Sequence, residues 1–257
     1  RIVGLCADLT ESTRMILFAE KYPERFIQIG VAEQNLASVA SGMARMGKIP
    51  WMSSYAMFSP GRNWEQIRTT IAYNDRKVVI VGSHSGISVG PDGGTHQALE
   101  DIALMRVMPN MEVISPVDAI EAKKATLALA KSKKPAYLRL VREKTPIITT
   151  EETPFEIGKS EIYWMPDVGI AQVGIIVTGG LMHGALLAAK ELGEEGIKTK
   201  VMNMASIKPH DEKAILELAR ETRALVTVEE HQVSGGLGSL VAEYLAEHCP
   251  TPMEFIG

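Results

Sequence analysis

Cysteine is nearly absent from this chain. There are two in 257 residues, Cys6 and Cys249, and they form no Cys-x-x-Cys pair. Disulfide frameworks and thiolate metal sites both need clustered cysteines, so neither is predicted. The simplest interpretation is a reducing compartment, and we expect the protein in the cytoplasm.

Concentrated positive charge and long apolar runs are also missing. The formal net charge is -4 and no basic run occurs. Binding nucleic-acid phosphates needs clustered Lys and Arg, so we expect no nucleic-acid partner. No apolar run approaches the ~18–20 residues of a membrane span, and no signal peptide is visible, so we expect no membrane. The sequence begins at Arg1, directly in an apolar run, and we expect further residues upstream.

Aromatic residues make up only 5% of the chain, yet Tyr55 and Phe58 lie within four residues of each other. The segment around them, residues 53–62, contains proline and glycine and is predicted as a loop. The two rings could belong to the core. They could also form a platform for a planar ligand, because aromatic stacking contributes about 0.5–1.5 kcal/mol beyond area burial.

What the chain does have is a regular alternation of apolar strands with helices, which indicates parallel α/β sheets. A length of 257 residues favours two domains. Residues 146–165 contain Pro146 and Pro154 and are predicted as a linker. We therefore expect two three-layer α/β domains with mostly parallel sheets, at residues 1–145 and 166–257.

Two glycine clusters, Gly179-Gly180 and Gly235-Gly236-Leu237-Gly238, raise the possibility of a dinucleotide site. Neither gives Gly-x-Gly-x-x-Gly after the first strand with an acid about 20 residues on. Tight turns and helix starts are the ordinary use of such glycines. We interpret them in that way.

A carboxylate, Glu33, lies at the corner between a predicted strand at 26–29 and a helix rich in small residues at 36–46. Its sequence neighbours are apolar or small rather than positively charged. It could simply favour the helix dipole, which is worth about 0.3–1 kcal/mol. It could also be a proton donor in a dry site, since burial raises a carboxyl pKa.

The loop at residues 83–97 follows the most apolar strand, 77–82, and contains His84, Asp92 and His96 among four glycines. Ligands of open α/β sheets collect beyond the carboxyl ends of strands. Histidine has an ordinary pKa of about 6.5 and can exchange protons at neutral pH. The loop could instead be solvated, or bind a metal. Because its residues have no rigid ligand spacing, we predict no metal ligands.

Taken together, these motifs resemble the C-terminal half of transketolase, and most closely the B chain of split transketolases, over nearly the whole chain. The matching motifs are Ala7-Asp8-Leu9-Thr10, Gly30-Val31-Ala32-Glu33-Gln34, residues 55–62, His84-(x)7-Asp92-Gly93-(x)2-His96-Gln97 and Arg106-(x)2-Pro109-Asn110. The resemblance implies a pyrimidine-binding domain at residues 1–145, followed by the linker and a transketolase C-terminal domain at residues 166–257. It also implies transfer of a two-carbon ketol unit from a ketose phosphate to an aldose phosphate in the pentose phosphate pathway.

The resemblance assigns roles to individual side chains at the cofactor. Glu33 would bond N1′ of the aminopyrimidine of thiamine diphosphate, Tyr55 and Phe58 would stack on that ring, and Asp8 would lie beside the cofactor. Proton exchange between Glu33 and N1′ would let the 4′-amino group act as the base at the thiazolium, so the cofactor supplies the carbanion chemistry.

Further roles concern the sugar. The resemblance implies that His84, Asp92 and His96 contact the substrate, with the two histidines as catalytic proton-transfer groups. Arg142 and Ser12 would bind the substrate phosphate. Departures from the family pattern bear on donor recognition: Ser85 replaces a frequent aspartate, and Gly94 replaces the proline of the usual Gly-Pro-Thr-His. A third stacking aromatic is not evident near Gly61.

Thiamine enzymes of this family bind the diphosphate through magnesium at a Gly-Asp-Gly motif, which these residues do not contain. The resemblance therefore implies that the magnesium ligands lie on a partner, the diphosphate-binding transketolase chain. We expect a heterotetramer with two of each chain, in which the cofactor spans two polypeptides.

Two other classes stay open at this point. One is half of another thiamine diphosphate enzyme, such as deoxyxylulose-phosphate synthase or the pyruvate dehydrogenase beta subunit; His84, His96 and Arg142 favour phosphorylated sugars over lipoyl transfer. The other is a non-catalytic assembly subunit, which the presence of Glu33, the histidines and Asp92 disfavours.

Overall fold

A computed structural model describes all 257 residues, and the chain divides into two compact units. The first unit comprises Arg1–Ile114 and Thr126–Lys144, and the second comprises Ser115–Ala125 and Thr145–Gly257. Two mostly parallel α/β sheets are present, which confirms the predicted fold class. The division into domains at 1–145 and 166–257 around a linker stays a prediction.

The elements up to residue 144 alternate as the sequence predicts. They are β1 (Ile2–Cys6), α1 (Ile16–Lys21), β2 (Phe26–Gln28), α2 (Glu33–Arg45), β3 (Ile49–Tyr55), α3 (Trp64–Gln66), β4 (Val79–Ser83), α4 (Asp101–Arg106), β5 (Glu112–Ile114), α5 (Ala119–Lys131) and β6 (Ala136–Arg139). Short 3-10 turns occur at Pro23–Arg25 and Ile87–Asp92, and a π-helical turn, Ile67–Ala72, follows α3.

The strands of the first unit lie in the order β5-β6-β4-β3-β1-β2, and all of these pairs are parallel. Cys6 is level with Ser53 and Gln28, and Tyr55 is level with Ser83. Because parallel strands end on the same side of a sheet, the loops that follow β1, β2, β3, β4 and β6 emerge together. This edge carries the candidate site.

Apolar burial explains why helices cover this sheet. Leu36, Ala37 and Ala40 recur at helical spacing along α2 and are fully buried. The sequence predicts one helix over residues 64–73 with Ile67 and Ile71 on one face, and both are fully buried. The predicted α-helix is wrong in detail, because after three residues it becomes the π-helical turn.

The second unit has its own sheet and core. Its elements are β7 (Glu161–Trp164), β8 (Val173–Val177), α6 (Met182–Glu194), β9 (Thr199–Asn203), β10 (Ser206–Lys208), α7 (Glu212–Glu221), β11 (Ala224–Val228), α8 (Leu237–His248) and β12 (Met253–Ile256). The sheet order is β12-β11-β8-β9-β7, with only β7 antiparallel. Its core includes Val177, Met182 and Val201.

Three short strands were not predicted from the sequence. β7 lies in the segment interpreted as a linker, pairs only with β9 at the edge of the sheet, and is bulged between Ile162 and Trp164. A four-residue edge strand beside prolines carries too little apolar alternation to be recognised. β10 and β12 are equally short. None of the helices combines the length and apolarity that a membrane crossing requires.

Candidate functional site

A cleft of about 1110 Å³ opens where the loops of the first unit meet at the sheet edge. Six of the predicted site residues line it: Asp8, Ser12, Tyr55, His84, Asp92 and Arg142. They come from the loops after β1, β3, β4 and β6, as expected for residues beyond the carboxyl ends of parallel strands. Glu33, Phe58 and His96, the other predicted site residues, do not line this cleft, but ring and ion-pair contacts connect them to it.

Four aromatic and imidazole rings form a cluster beside the cleft. The Tyr55 ring lies parallel to that of Phe58, with centroids 6.1 Å apart and planes within 15°. His84 stacks on Tyr55 at 4.0 Å, and His96 meets the Phe58 ring edge-on at 5.1 Å. The two predicted platform residues and the two predicted histidines therefore share one site.

His84 is held in an unusual conformation. It is 8% exposed and has a φ of 56°, in the left-handed region that few residues other than glycine adopt. Its Nδ1 contacts the Ser83 hydroxyl. Burial lowers the pKa of His84, Asp92 opposes that shift and Arg142 adds to it. The lowered pKa favours the neutral imidazole, which is the form able to accept a proton.

Glu33 is the first residue of α2, where a carboxylate interacts favourably with the helix dipole. It is only 5% exposed, as the interpretation as a carboxyl group in a dry site requires. Its surroundings differ from the sequence expectation, because folding brings a cation from 29 residues away. Arg62 Nη1 donates to Glu33 Oε1 at 3.0 Å. Asn63 Nδ2, fully buried, donates to the Glu33 carbonyl oxygen at 2.9 Å.

Arg62 also contacts the aromatic platform. Its guanidinium carbon lies 4.1 Å from the centroid of the Phe58 ring. Sequence reasoning named Arg62 only as the end of the 55–62 motif and gave it no role. An isolated arginine in a loop carries no signal of its own, and only the folded chain shows that it pairs with Glu33.

Gln28, at the end of β2, joins two loops of the site and was also missed. Its Oε1 accepts from the backbone N–H of Asp8 at 2.8 Å and of Gly30 at 3.1 Å, and its Nε2 donates to Thr10 Oγ1 at 2.6 Å. Gly30 has a φ of +81°, which glycine adopts without strain, so the chain can turn sharply between Gln28 and Glu33. The strand-to-helix corner between Gln28 and Glu33 is thus fixed to the loop after β1.

Positive charge in the cleft comes from two arginines. Arg142 Nη1 donates to the Val89 carbonyl oxygen at 2.8 Å, which anchors it beside the glycine-rich loop. Arg14 also lines the cleft, is exposed, and comes from the same loop as Ser12. Arg14 was not predicted; the signal was available, since a basic residue two positions after a predicted phosphate contact is a candidate for the same anion.

A buried ion pair supports the far end of the histidine loop. Arg139 on β6 donates from Nε to Asp101 Oδ2 at 2.7 Å, and Tyr137 donates from its hydroxyl to the same oxygen at 2.7 Å. Asp101 is the first residue of α4, which begins soon after His96. This contact fastens α4 to the sheet and so fixes where the loop ends.

No group of three or more His, Cys, Asp and Glu side chains is placed to hold a metal ion. His84 and His96 instead contact aromatic rings. The site as described offers a buried carboxylate, a planar stacking surface, neutral imidazole and two cations. Such a set can hold a planar heterocycle, exchange protons with it, and bind an anionic substrate.

Comparison with known proteins finds similarity along the chain. Residues 1–147 match the family described as transketolase, pyrimidine binding domain, and residues 163–255 match transketolase, C-terminal domain. A protein of Methanocaldococcus jannaschii named as a transketolase C-terminal section is 45% identical over 96% of this chain and 77% of its own length. A 6-deoxy-6-sulfo-D-fructose transketolase subunit of a Clostridium species is 40% identical over 100% of this chain and 79% of its own length.

A solved structure is similar as well. It is described as a split gene transketolase, inactive beta4 tetramer, and it has a TM-score of 0.90 and 43% identity to this chain. The match covers 100% of this chain and 81% of that one.

Proposed function

Because the chain belongs to the transketolase family, we propose that it is the half of a split, thiamine diphosphate-dependent transketolase that holds the aminopyrimidine ring of the cofactor. The observation that carries the proposal is that Arg62 connects the buried carboxylate of Glu33 to the ring of Phe58, which lies parallel to that of Tyr55. Within this family, these are the side chains that a planar ring with a basic nitrogen requires.

The residues present fit that ring. Glu33 is nine-tenths buried, so its carboxyl group meets a ligand with little competition from water. Phe58 is partly exposed and offers a flat apolar face, over which lies Arg62, the ion-pair partner of Glu33. Asp8 is exposed on the loop that Gln28 holds next to Gly30, so it can lie beside the same ligand.

Each side chain has a separate task in the proposed reaction. When bound, thiamine diphosphate supplies a stabilised carbanion and an electron sink. Glu33 holds or gives up a proton at N1′ of the aminopyrimidine, and the dry environment suits this exchange. Tyr55 and Phe58 orient the ring by stacking.

The two histidines and the cations act on the sugar. His84, kept neutral because burial lowers its pKa, accepts a proton from a substrate hydroxyl, and His96 lies close enough to share the same substrate. Asp92 lies close enough to His84 for its charge to raise the histidine pKa against the effect of burial. Its carboxylate can also bind a sugar hydroxyl. Arg142, with Ser12, binds the anionic end of the sugar, since guanidinium matches a phosphate or sulfonate group.

The substrate class follows from those cations and from the relatives. We propose a ketose that carries an anionic group at the end away from the carbonyl. Ketose phosphates of the pentose phosphate pathway are one such class. The Clostridium relative is named for a sulfonated ketose, so the same cleft position could accept a sulfonate in place of a phosphate.

The diphosphate and magnesium belong, in this proposal, to a second chain. The split-gene structure that resembles this chain is described as an inactive tetramer of beta chains. That description supports the need for a diphosphate-binding transketolase partner, and we propose a complex with two of each chain.

The experiment is a comparison of this chain alone, its partner alone, and the two mixed. Calorimetry with thiamine diphosphate and magnesium should show strong binding only in the mixture, and ketol transfer from xylulose 5-phosphate should appear there alone. Micromolar cofactor binding and full transfer by this chain alone would refute the need for a partner. A mixture that binds the cofactor but forms deoxyxylulose phosphate from pyruvate and glyceraldehyde 3-phosphate, with release of CO2, would support the synthase alternative. A mixture whose activity survives loss of Glu33, His84 and His96 would support an assembly role.

A further inference from the structure

Arg62 makes two contacts at the place where the proposed function puts the aminopyrimidine ring. Its Nη1 donates to Glu33 Oε1 at 3.0 Å. Its guanidinium lies over the Phe58 ring, with the central carbon 4.1 Å from the ring centroid. One side chain therefore occupies the carboxylate and one face of the stacking platform together.

A guanidinium group and an aminopyrimidine share the properties that these contacts select. Both are flat and delocalised, and both stack on an aromatic face. The guanidinium presents an N–H to the carboxylate, and so does the aminopyrimidine once N1′ is protonated. The guanidinium covers the face of Phe58 on which an aminopyrimidine would stack, so the two groups compete for that face. We propose that Arg62 is a stand-in for the aminopyrimidine, which holds the empty cofactor site in its binding geometry and must withdraw when the cofactor enters; this inference rests on the proposed function.

The burial of the two charges explains why such a stand-in is useful. The Glu33 side chain is 5% exposed, and a carboxylate left unpaired at that depth is costly. The Arg62 side chain is 52% exposed, so it can move into water without losing hydration. The cation can therefore stabilise Glu33 while the site is empty and return to water when the incoming ring takes its place at the carboxylate.

The backbone on either side of Arg62 is fixed, so withdrawal needs only rotation of the side chain. The Arg62 backbone N–H donates to the Phe58 carbonyl oxygen at 2.9 Å. Fully buried Asn63 binds both the Glu33 carbonyl oxygen, at 2.9 Å, and Ser59 Oγ, at 3.2 Å. These contacts do not involve the guanidinium and remain when it swings out.

A stand-in competes with the cofactor only in the empty site, which gives a specific kinetic signature. The apparent dissociation constant equals the intrinsic constant divided by the fraction of open sites. If Arg62 closes about nine sites in ten, its removal tightens binding about tenfold, equivalent to ~1.4 kcal/mol. The gain should appear in the association rate constant, and the dissociation rate constant should not change.

The test measures thiamine diphosphate binding to the assembled enzyme, this chain with its diphosphate-binding partner and magnesium. Trp64, two residues from Arg62, provides a fluorescence signal for stopped-flow measurements. Arg62→Ala should bind about tenfold more tightly, through faster association. Arg62→Met keeps the length of the side chain but removes the hydrogen-bond donors, and it should tighten cofactor binding in the same way. This second variant keeps the test decisive if the alanine variant folds poorly. Arg68→Ala, an exposed arginine on the following helical turn, is the matched control and should match the wild type.

Three outcomes would contradict the proposal that Arg62 stands in for the aminopyrimidine. Unchanged affinity in both variants means that Arg62 does not compete. Weaker binding, or a change confined to the dissociation rate, means that Arg62 contacts the bound cofactor instead. These failures are distinct from failure of the proposed function, in which the assembled wild-type enzyme itself binds no thiamine diphosphate.

Discussion

The imidazole of His84 lies parallel to the phenol ring of Tyr55, with centroids 4.0 Å apart and planes within 16°. This contact joins the end of β4 to the end of β3, two neighbouring parallel strands. It places a group that exchanges protons against a ring proposed to orient the cofactor. The histidine is therefore part of the packed site rather than of a solvated loop.

The charges around His84 predict how its pKa responds to substitution. The pKa of wild-type His84 should lie below 6.5, because burial penalises the imidazolium. Asp92→Asn should lower that pKa further, since the Asp92 charge raises it. Arg142→Ala should raise it, since the Arg142 charge lowers it. NMR titration of the imidazole in the purified chain measures all three, and shifts in the opposite directions would contradict the described geometry.

The same lowered pKa predicts a dependence of stability on pH. The folded pKa lies below the unfolded value of about 6.5, so the unfolded chain takes up the proton first as the pH falls. The contribution of His84 is complete above about pH 6.5 and is lost as the pH falls through 6.5 towards the folded pKa. Urea unfolding at pH 7.5 and 5.5 should show a larger loss of unfolding free energy for wild type than for His84→Gln. An equal loss in both would exclude this role.

Glu33→Gln tests the proposed proton exchange. The change is nearly isosteric, and a glutamine oxygen can still accept from Arg62, so the fold should persist. Turnover at saturating cofactor and partner should fall about 10²-fold or more, the usual contribution of a positioned acid or base. Glu65→Gln, an exposed carboxylate on α3, is the matched control. Wild-type turnover in the Glu33 variant would show that its carboxyl group is not the proton-exchange residue.

Asp101 tests the anchor of the histidine loop. Asp101→Ala removes the partner of Arg139, whose side chain is 2% exposed, and should cost about 3–5 kcal/mol of unfolding free energy. Tyr137→Phe removes one hydrogen bond to the same carboxylate and should cost about 1 kcal/mol. Urea unfolding measures both. A similar, small cost for the two variants would mean that the ion pair does not hold α4 to the sheet.

The sequence predicts much of this fold because apolar strands such as 77–82 and helices with a single apolar face carry local signals. It also predicts that residues after different strands meet, because parallel strands end at one edge. The contact of Arg62 with Glu33 could not be predicted, since it joins residues 29 apart through loop geometry. The bulged strand β7 was not predicted, because four residues are too few to show the alternation of apolar and polar side chains that identifies an edge strand.

Arg142 tests the proposed recognition of an anionic sugar. A charge-assisted hydrogen bond contributes about 1.5–3 kcal/mol, so Arg142→Ala should raise KM for xylulose 5-phosphate roughly 10- to 100-fold. KM for hydroxypyruvate, which has no phosphate, should change little. Arg142→Lys keeps the charge but loses the two-pronged donor geometry. Its KM for xylulose 5-phosphate should lie between the wild-type value and that of Arg142→Ala.

Two further variants separate recognition from general damage. Arg14→Ala should show the same preference for phosphorylated donors in a weaker form, because Arg14 lines the same cleft but is exposed. Arg45→Ala, at the end of α2 and outside the cleft, should leave both substrates unaffected. Steady-state kinetics of the assembled enzyme with both donors decides the matter. If Arg142→Ala impairs hydroxypyruvate as strongly as xylulose 5-phosphate, the arginine supports the His84 loop through Val89 rather than binding the phosphate.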